Sequence, residues 1–543
     1  MNVFRSTLAC IAPLLAATSL VAQETRHTGE TATTEASSLG RVDFRIECED
    51  TARTAFDEAL AMLHHMMYVQ SRDRFESIAA QHPDCAMAHW GIAATLFQPL
   101  WATRPSAEDL QRGWRESQRA TERAHDERER QLINAASAFF REPDGADHAT
   151  RQDRWVDAMQ TAYRTAPEDN DIASLYALSL LARAQGEADP HPLHEEAEGI
   201  LRTINAREPT HPGAIHYLIH GDDIDGRADR NLDIVASYGQ VAPDVPHALH
   251  MPTHIYVRLG DWPAVLEWNR RSAGAALANP AGEHVSHHYL HAQDYIIYAH
   301  LQRGEDEQAR QTLAEAREHG PMQPTVISAF HSATMPARIA IERRDWKQAA
   351  ALEPNRPETL PWDASLGLWA VSQTWLARGL GAVHGDDTDS AEQALEQIQA
   401  LRANAEEQGE TLITRYIDID EHILSGWIAH ATGQADTAVD HMRAAVRIEA
   451  DVEKHPVTPG ALLPPNESLG DLLMALERPR EALEAYQASD TVWPARYNTL
   501  LGAARAAQAA DDQAATAWYS KLLASAPRAQ RESIEEAREL ASM

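Results

Sequence analysis

The sequence predicts an all-α fold, a tetratricopeptide-type superhelical solenoid of antiparallel helix pairs. Three observations carry that prediction. Amphipathic segments of roughly 10–18 residues recur with short breaks, and no stretch alternates apolar and polar with period 2. Pro209 and Pro243, each closing a helical stretch, lie 34 residues apart, the period of a tetratricopeptide unit. Aromatic residues are 6% of the chain and Ala is abundant, which favours helices packed through small side chains over a sheet.

The first 22 residues read as a signal peptide. Arg5 supplies the positive start, Leu8 to Val21 the apolar stretch, and Leu20-Val21-Ala22 a cleavage site before Gln23. The stretch is too short for a stable membrane span, and no other segment is apolar enough for one. The mature protein is therefore expected to be periplasmic or secreted. Residues 23–44, rich in Thr, Glu, Ser and Gly, read as a disordered linker. Two cysteines remain after cleavage, Cys48 and Cys85, and in an exported chain they are expected to pair, pinning the chain's start to the first repeat.

From 45 to 543 the chain reads as one solenoid, because a lone helix hairpin cannot bury its apolar face but stacked hairpins share a continuous core. Phe56, Ala59, Leu60 and Leu63 mark one face of a helix from Ala52 to Tyr68, and Asp84 is placed to cap the next. Near the C-terminus, Glu467–Glu477, Arg480–Ala488, Arg496–Ala509 and Asp512–Ala524 read as two helix pairs. A Pro-rich loop, His455 to Pro465, interrupts the array and either lies on the surface or folds over a groove.

Charge and motifs exclude several functions. A formal net charge of -33 repels nucleic acid and anionic membranes. There is no Walker-type loop and no GxSxG elbow. His194-Glu195 lacks the second histidine of a zincin, and Asp223-Ile224-Asp225-Gly226 lacks the remaining spacing of a calcium loop.

Histidine is the positive signal. Eleven of the 27 histidines fall between 211 and 300. His216 and His220, His250 and His254, and His287 and His291 are each i, i+4 pairs, neighbours on one helix face with Cβ atoms roughly 5–6 Å apart. Asp223 and Asp294 extend the first and third stripes, and His247 extends the second backwards. Pro209, Pro243 and Pro280 are each followed by histidines 7 and 11 residues later. Strict 34-residue counting instead selects His284 and His288 in the third repeat. The tetratricopeptide resemblance implies that all three stripes lie on inner helices, about 8–10 Å apart, with the imidazoles converging in a concave groove within repeats at about 210–302. The expected metal ligands are His216, His220, His250, His254, His291, Asp223 and Asp294, with His211, His247, His287, His288 and His64 as secondary candidates.

Two motifs resemble those of a family of large exported bacterial tetratricopeptide proteins. His211-Pro212-Gly213-Ala214-Ile215-His216-Tyr217-Leu218-Ile219-His220 is similar to that family's HPGAxHYLIH motif. His247-Ala248-Leu249-His250-Met251-Pro252-Thr253-His254-Ile255 is similar to its HALHMPSHI segment. Leu63-His64, Cys85 to Gly91 and His455 to Pro465 resemble further segments, so the likeness runs from about residue 45 to the end. It implies site positions at His211, His216, His220, Asp223, His247, His250, His254 and His291. His89 stands where the family has an aromatic residue, and Gln98 where it often has a histidine. The resemblance implies fold and site position but no reaction.

The functional expectation is a transition-metal site, Zn, Cu or Fe by its donors, facing a small-molecule or peptide ligand in the groove. Whether it is catalytic is left open, and no catalytic residue is assigned. The competing reading is a metal-free scaffold gripping a protein or peptide in the same groove.

Overall fold

The computed structural model describes residues 38–541, apart from Ala102, Thr103, Gly186, Ala188 and Ala364. The expected signal peptide, and the linker up to residue 37, lie outside the described residues. From Asp50 to Ala541 the chain is helix after helix, each packed against the next. Among the described residues there is no strand, only two isolated bridges, Ala281 with His284 and Val285 with Met322. No helix among them is long and apolar enough to cross a membrane. The fold is the all-α, tetratricopeptide-type repeat array that the periodicity predicts.

Small residues set the helix contacts, as the repeat pattern requires. The Tyr486 ring lies on two glycines of neighbouring helices. A Cβ at Gly470 would sit 2.7 Å from it and one at Gly502 2.4 Å. Helix starts carry side-chain caps that satisfy otherwise orphaned amides: Ser106 and Asp109 form a reciprocal capping box, and Asp126 accepts from Arg128 and Glu129.

Three expectations need correction. The linker does not extend to residue 44: Val42 and Phe44 are buried, and the Arg41 amide donates to Thr210 O at 3.0 Å. These apolar side chains are too sparse to show a period, yet enough to hold the segment on the first repeats. The first helix ends at His64 rather than Tyr68, because Met66 takes the left-handed conformation (φ 56°) and starts a new helix at Tyr68. Asp84 does not cap the next helix; its N-cap is Cys85, which has no side-chain cap.

Cys48 and Cys85 are bridged, with Cα atoms 5.0 Å apart and the helices Asp50–His64 and Tyr68–Gln81 between them. By loop length alone, replacing both with Ser should lower stability by about 3–4 kcal/mol. Urea unfolding of wild type and variant, with and without reductant, checks this; equal midpoints would show that the bridge stabilises nothing.

One buried carboxyl gives the fold a pH dependence. Asp420, on helix Thr411–Ala431, accepts from Ser372 Oγ at 2.8 Å, and burial pushes its carboxyl up to about 8. The folded chain therefore keeps a proton there that the unfolded chain releases near the ordinary carboxylate value. Stability falls as pH rises between those two values. Asp420→Asn removes this slope, so the variant should be the more stable protein at about pH 8, with the gap shrinking towards about pH 5. Thermal melts at both pH values test it.

The His-bearing helices occupy equivalent places in consecutive repeats. They are Pro212–Asp222, then Pro246–His250 continued by Pro252–Leu259, then His287–Gln302, then Val326–Glu342. Neighbours in this series touch one another, and each also packs beside the helix that follows it. Later repeats lock onto this face through a buried ionic cluster. Arg496 pairs with Glu342 at 2.8 Å and Glu467 at 2.9 Å, and donates to Tyr298 Oη at 2.8 Å.

Candidate metal centre

The four helices bring nine imidazoles into one band. Ring centroids are 5.0 Å apart for His216 and His220, 4.9 Å for His216 and His247, and 5.2 Å for His247 and His288. They are 4.5 Å apart for His287 and His288, 4.9 Å for His250 and His254, 4.1 Å for His250 and His291, and 4.8 Å for His291 and His331. Three groups have ligand atoms within 4.8 Å of one another: His250, His254 and His291; His216, His220 and His247; and His64, Asp171 and His211. Each could hold a metal ion by distance, but their hydrogen bonds set them apart.

In the first group, the outer nitrogens are committed and the inner ones are bare. Asn269 Nδ2 donates to Val265 O at 2.9 Å, which turns Asn269 Oδ1 towards His250. His250 Nδ1–H donates to that oxygen at 2.7 Å, leaving Nε2 with its lone pair. His254 Nδ1–H donates to Asp223 Oδ2 at 2.8 Å, again leaving Nε2 bare. These two nitrogens face each other at 3.0 Å. His331 Nδ1–H donates to Asp294 Oδ2 at 3.1 Å, and its Nε2 accepts from His291 Nδ1 at 2.8 Å, so His291 Nε2 is bare too. This is how metal-binding histidines are oriented: an amide oxygen behind His250, a carboxylate behind His254, and the carboxylate-held His331 behind His291 fix the tautomers.

Two lone pairs 3.0 Å apart repel unless a proton or another cation lies between them. Protonation is disfavoured. Burial, together with neighbouring imidazoles, holds His250 and His291 well below the ordinary histidine value. Burial also lowers His254, with Lys454 and Arg258 acting in the same direction and Asp223 opposing. An ion bound to both nitrogens at ~2.0–2.1 Å would see them at about 94°, within the range a distorted tetrahedral site accepts.

Asp223 and Asp294 stand behind the rings. Asp223 takes Arg258 Nε at 2.6 Å and Lys454 Nζ at 3.2 Å besides His254. Burial would raise its carboxyl, but Lys454, Arg258 and His254 outweigh that and hold it well below the carboxylate range. Asp294 is fully buried and takes Arg338 Nε at 3.0 Å and Thr334 Oγ1 at 3.1 Å besides His331.

The third group is closed by its own hydrogen bonds. His211 Nδ1 accepts from the Ala214 amide, and its Nε2–H donates to Asp171 Oδ1 at 3.2 Å. His64 Nε2–H donates to the same oxygen at 3.0 Å, while its Nδ1 accepts from Tyr217 Oη at 3.0 Å. No ring nitrogen is left over, so His64 and His211 act here as structure.

His287 and His288 lie at the other end of the band, against Trp101, whose ring is 5.5 Å from those of both His247 and His287. With Trp101, Gln98 and Met66 they line a cavity of about 200 Å³. The two possible registers of the third repeat thus divide: His291 joins His250 and His254, His288 sits beside His247, and His284 lies in the turn before the helix.

The His face is not an open groove. The Pro-rich segment lies across it. Tyr295 Oη donates to Pro456 O and Thr458 O, each at 3.1 Å, and Arg338 reaches Gly460 O and Thr458 Oγ1, each at 3.2 Å. A Cβ at Gly460 would stand 2.7 Å from Tyr298 Oη, so only glycine lets the segment approach this closely. His216 and His250 are at most 1% exposed.

Sequence reading missed His331, Asn269, Lys454 and Arg258. The first had a signal: His331 follows Pro324 by 7 residues, the offset of His216 from Pro209 and of His250 from Pro243. The others belong to no repeating register.

No family model matches the sequence, and no curated protein does. Solved structures similar in fold include a human IFIT1 dimer with m7Gppp-AAAA, at 14% identity and TM-score 0.38, covering 84% of this chain and 90% of that one. The Cut9–Hcn1 hetero-tetramer of APC/C matches at 11% identity and TM-score 0.29, covering 91% and 96% of the two chains. Yeast Tom70 matches at 11% identity and TM-score 0.32, covering 91% and 95%.

Proposed function

We propose that this chain is an exported metalloprotein of the large bacterial tetratricopeptide family, with a transition-metal ion held by His250, His254 and His291. The observation that carries this reading is the pair of bare, buried Nε2 atoms 3.0 Å apart, each made bare by a hydrogen bond on the far side of its ring. Neutral imidazoles suit Zn, Cu or Fe, whereas Ca and Mg ask for oxygen ligands. The HPGAxHYLIH-like and HALHMPSHI-like motifs and the Cys48–Cys85 bridge support the family and the export. A metal-free interaction scaffold needs this face accessible to a partner, and the segment 453–464 covers it.

The cavity beside Trp101, His287 and His288, at the other end of the band from this centre, is where a small-molecule ligand would fit. Elemental analysis of the natively expressed, purified protein tests the reading. At least one Zn, Cu or Fe ion per chain should survive desalting. A metal-free protein that also fails to take up any of the three on titration would refute it.

A further inference from the structure

His216, His220 and His247 form a second group that the centre at His250 does not use. His216 Nδ1–H donates to His64 O at 2.6 Å, so its Nε2 carries the lone pair, and that atom is buried with no protein partner. His220 Nε2 is likewise buried without a partner. His247 is 3% exposed, and neither of its ring nitrogens has a partner. Unmade hydrogen bonds of this kind destabilise a buried site, and four of them fall in one place. His64 and His211, by contrast, are satisfied by Asp171, and the remaining unpartnered ring nitrogens of the band, on His287 and His288, line the cavity beside Trp101.

We infer that His216, His220 and His247 hold a second transition-metal ion, next to the first. The inference rests on the reading of His250, His254 and His291 as a metal site. The donor set is three nitrogens with no carboxylate among them, which selects Zn or Cu over hard, oxygen-seeking ions. The two groups share a border: His220 lies 6.1 Å from His254 and His247 lies 6.3 Å from His250, ring to ring. Consecutive repeats thereby build a paired centre from the same structural position used more than once. His247 faces Trp101 and His288 on its other side, so the second ion would be the nearer of the two to the cavity.

The test is stoichiometry. Metal-free full-length protein is titrated separately with Zn(II) and Cu(II), and bound metal per chain is counted after desalting. Wild type should bind two ions, His220→Gln/His247→Gln one, and His250→Gln/His254→Gln one. Wild type binding one ion that only the His250/His254 variant loses would overturn the second site and leave the first standing. One ion lost in both variants would mean a single shared site and would also overturn it, as would two ions retained in the His220/His247 variant. No ion in wild type would take down both readings. Should the double variant lose helicity by circular dichroism, His247→Gln alone decides: this ring makes no hydrogen bond to lose, and the variant should bind the second ion at least about tenfold more weakly. Unchanged affinity in that variant would equally overturn the inference.

Discussion

Replacing His250 and His254 together with Ala should abolish metal binding at the first centre and leave the helices intact. Losing a residue that merely orients a ligand costs about 10–100-fold in affinity. Losing two of three ligands removes the site outright. The fold should tolerate it, because the bonds that end are to Asn269 and Asp223, both of which keep other partners. The effect also appears in stability. A ligand at a hundred times its dissociation constant adds about 2.7 kcal/mol to the folded state. Wild type should gain on that scale when metal is added, and the double variant should gain nothing from this site. Thermal melts with and without the metal read the difference directly, and an equal gain in both proteins would mean that other residues are the ligands.

Asp223→Asn carries the second large effect, on stability and on metal affinity at once. The carboxylate faces Arg258, Lys454 and His254, and the Lys454 side chain is 3% exposed. Arg258 keeps Asp225 and Glu453, but Lys454 loses its paired carboxylate, and breaking such a buried pair costs about 3–5 kcal/mol. The same change weakens the acceptor that holds His254 Nδ1–H, so metal affinity should fall about 10–100-fold. Denaturant unfolding of the metal-free protein measures the first effect, and titration at a temperature where the variant stays folded measures the second. Loss of stability with unchanged affinity would assign Asp223 to structure alone and take it out of the centre.

What could be read from the sequence followed from what repeats. Helices at Pro465–Ala475, Pro479–Val492, Tyr497–Ala509 and Ala515–Ser525 begin and end within a few residues of their expected places, because small residues and Tyr486 recur at fixed offsets. The His stripes were legible for the same reason: spacing of four puts two rings on one face whatever the tertiary structure. What stayed hidden depends on contacts between distant parts of the chain. Lys454 reaches Asp223 across 231 residues and Tyr295 meets the Pro456–Thr458 segment across about 160, and no local pattern encodes such a pairing. Asn269 is a single amide on the second helix of its repeat, outside any register. That two of the three histidine groups are open and the third is closed by Asp171 was equally invisible, since it turns on which ring nitrogen each neighbour occupies. Met66 broke the first helix without Gly or Pro to announce it.

X-ray absorption at the edge of whichever metal the purified protein carries tests the central claim most directly. The His250, His254 and His291 site requires a first shell of nitrogen from imidazole, at ~2.0–2.1 Å for Zn, with the outer-ring scattering of several histidines; in a His220→Gln/His247→Gln background, which leaves this site alone, that signal should disappear when His250→Ala/His254→Ala is added. A first shell of oxygen alone, or a histidine signal in that background which His250→Ala/His254→Ala leaves unchanged, would contradict it.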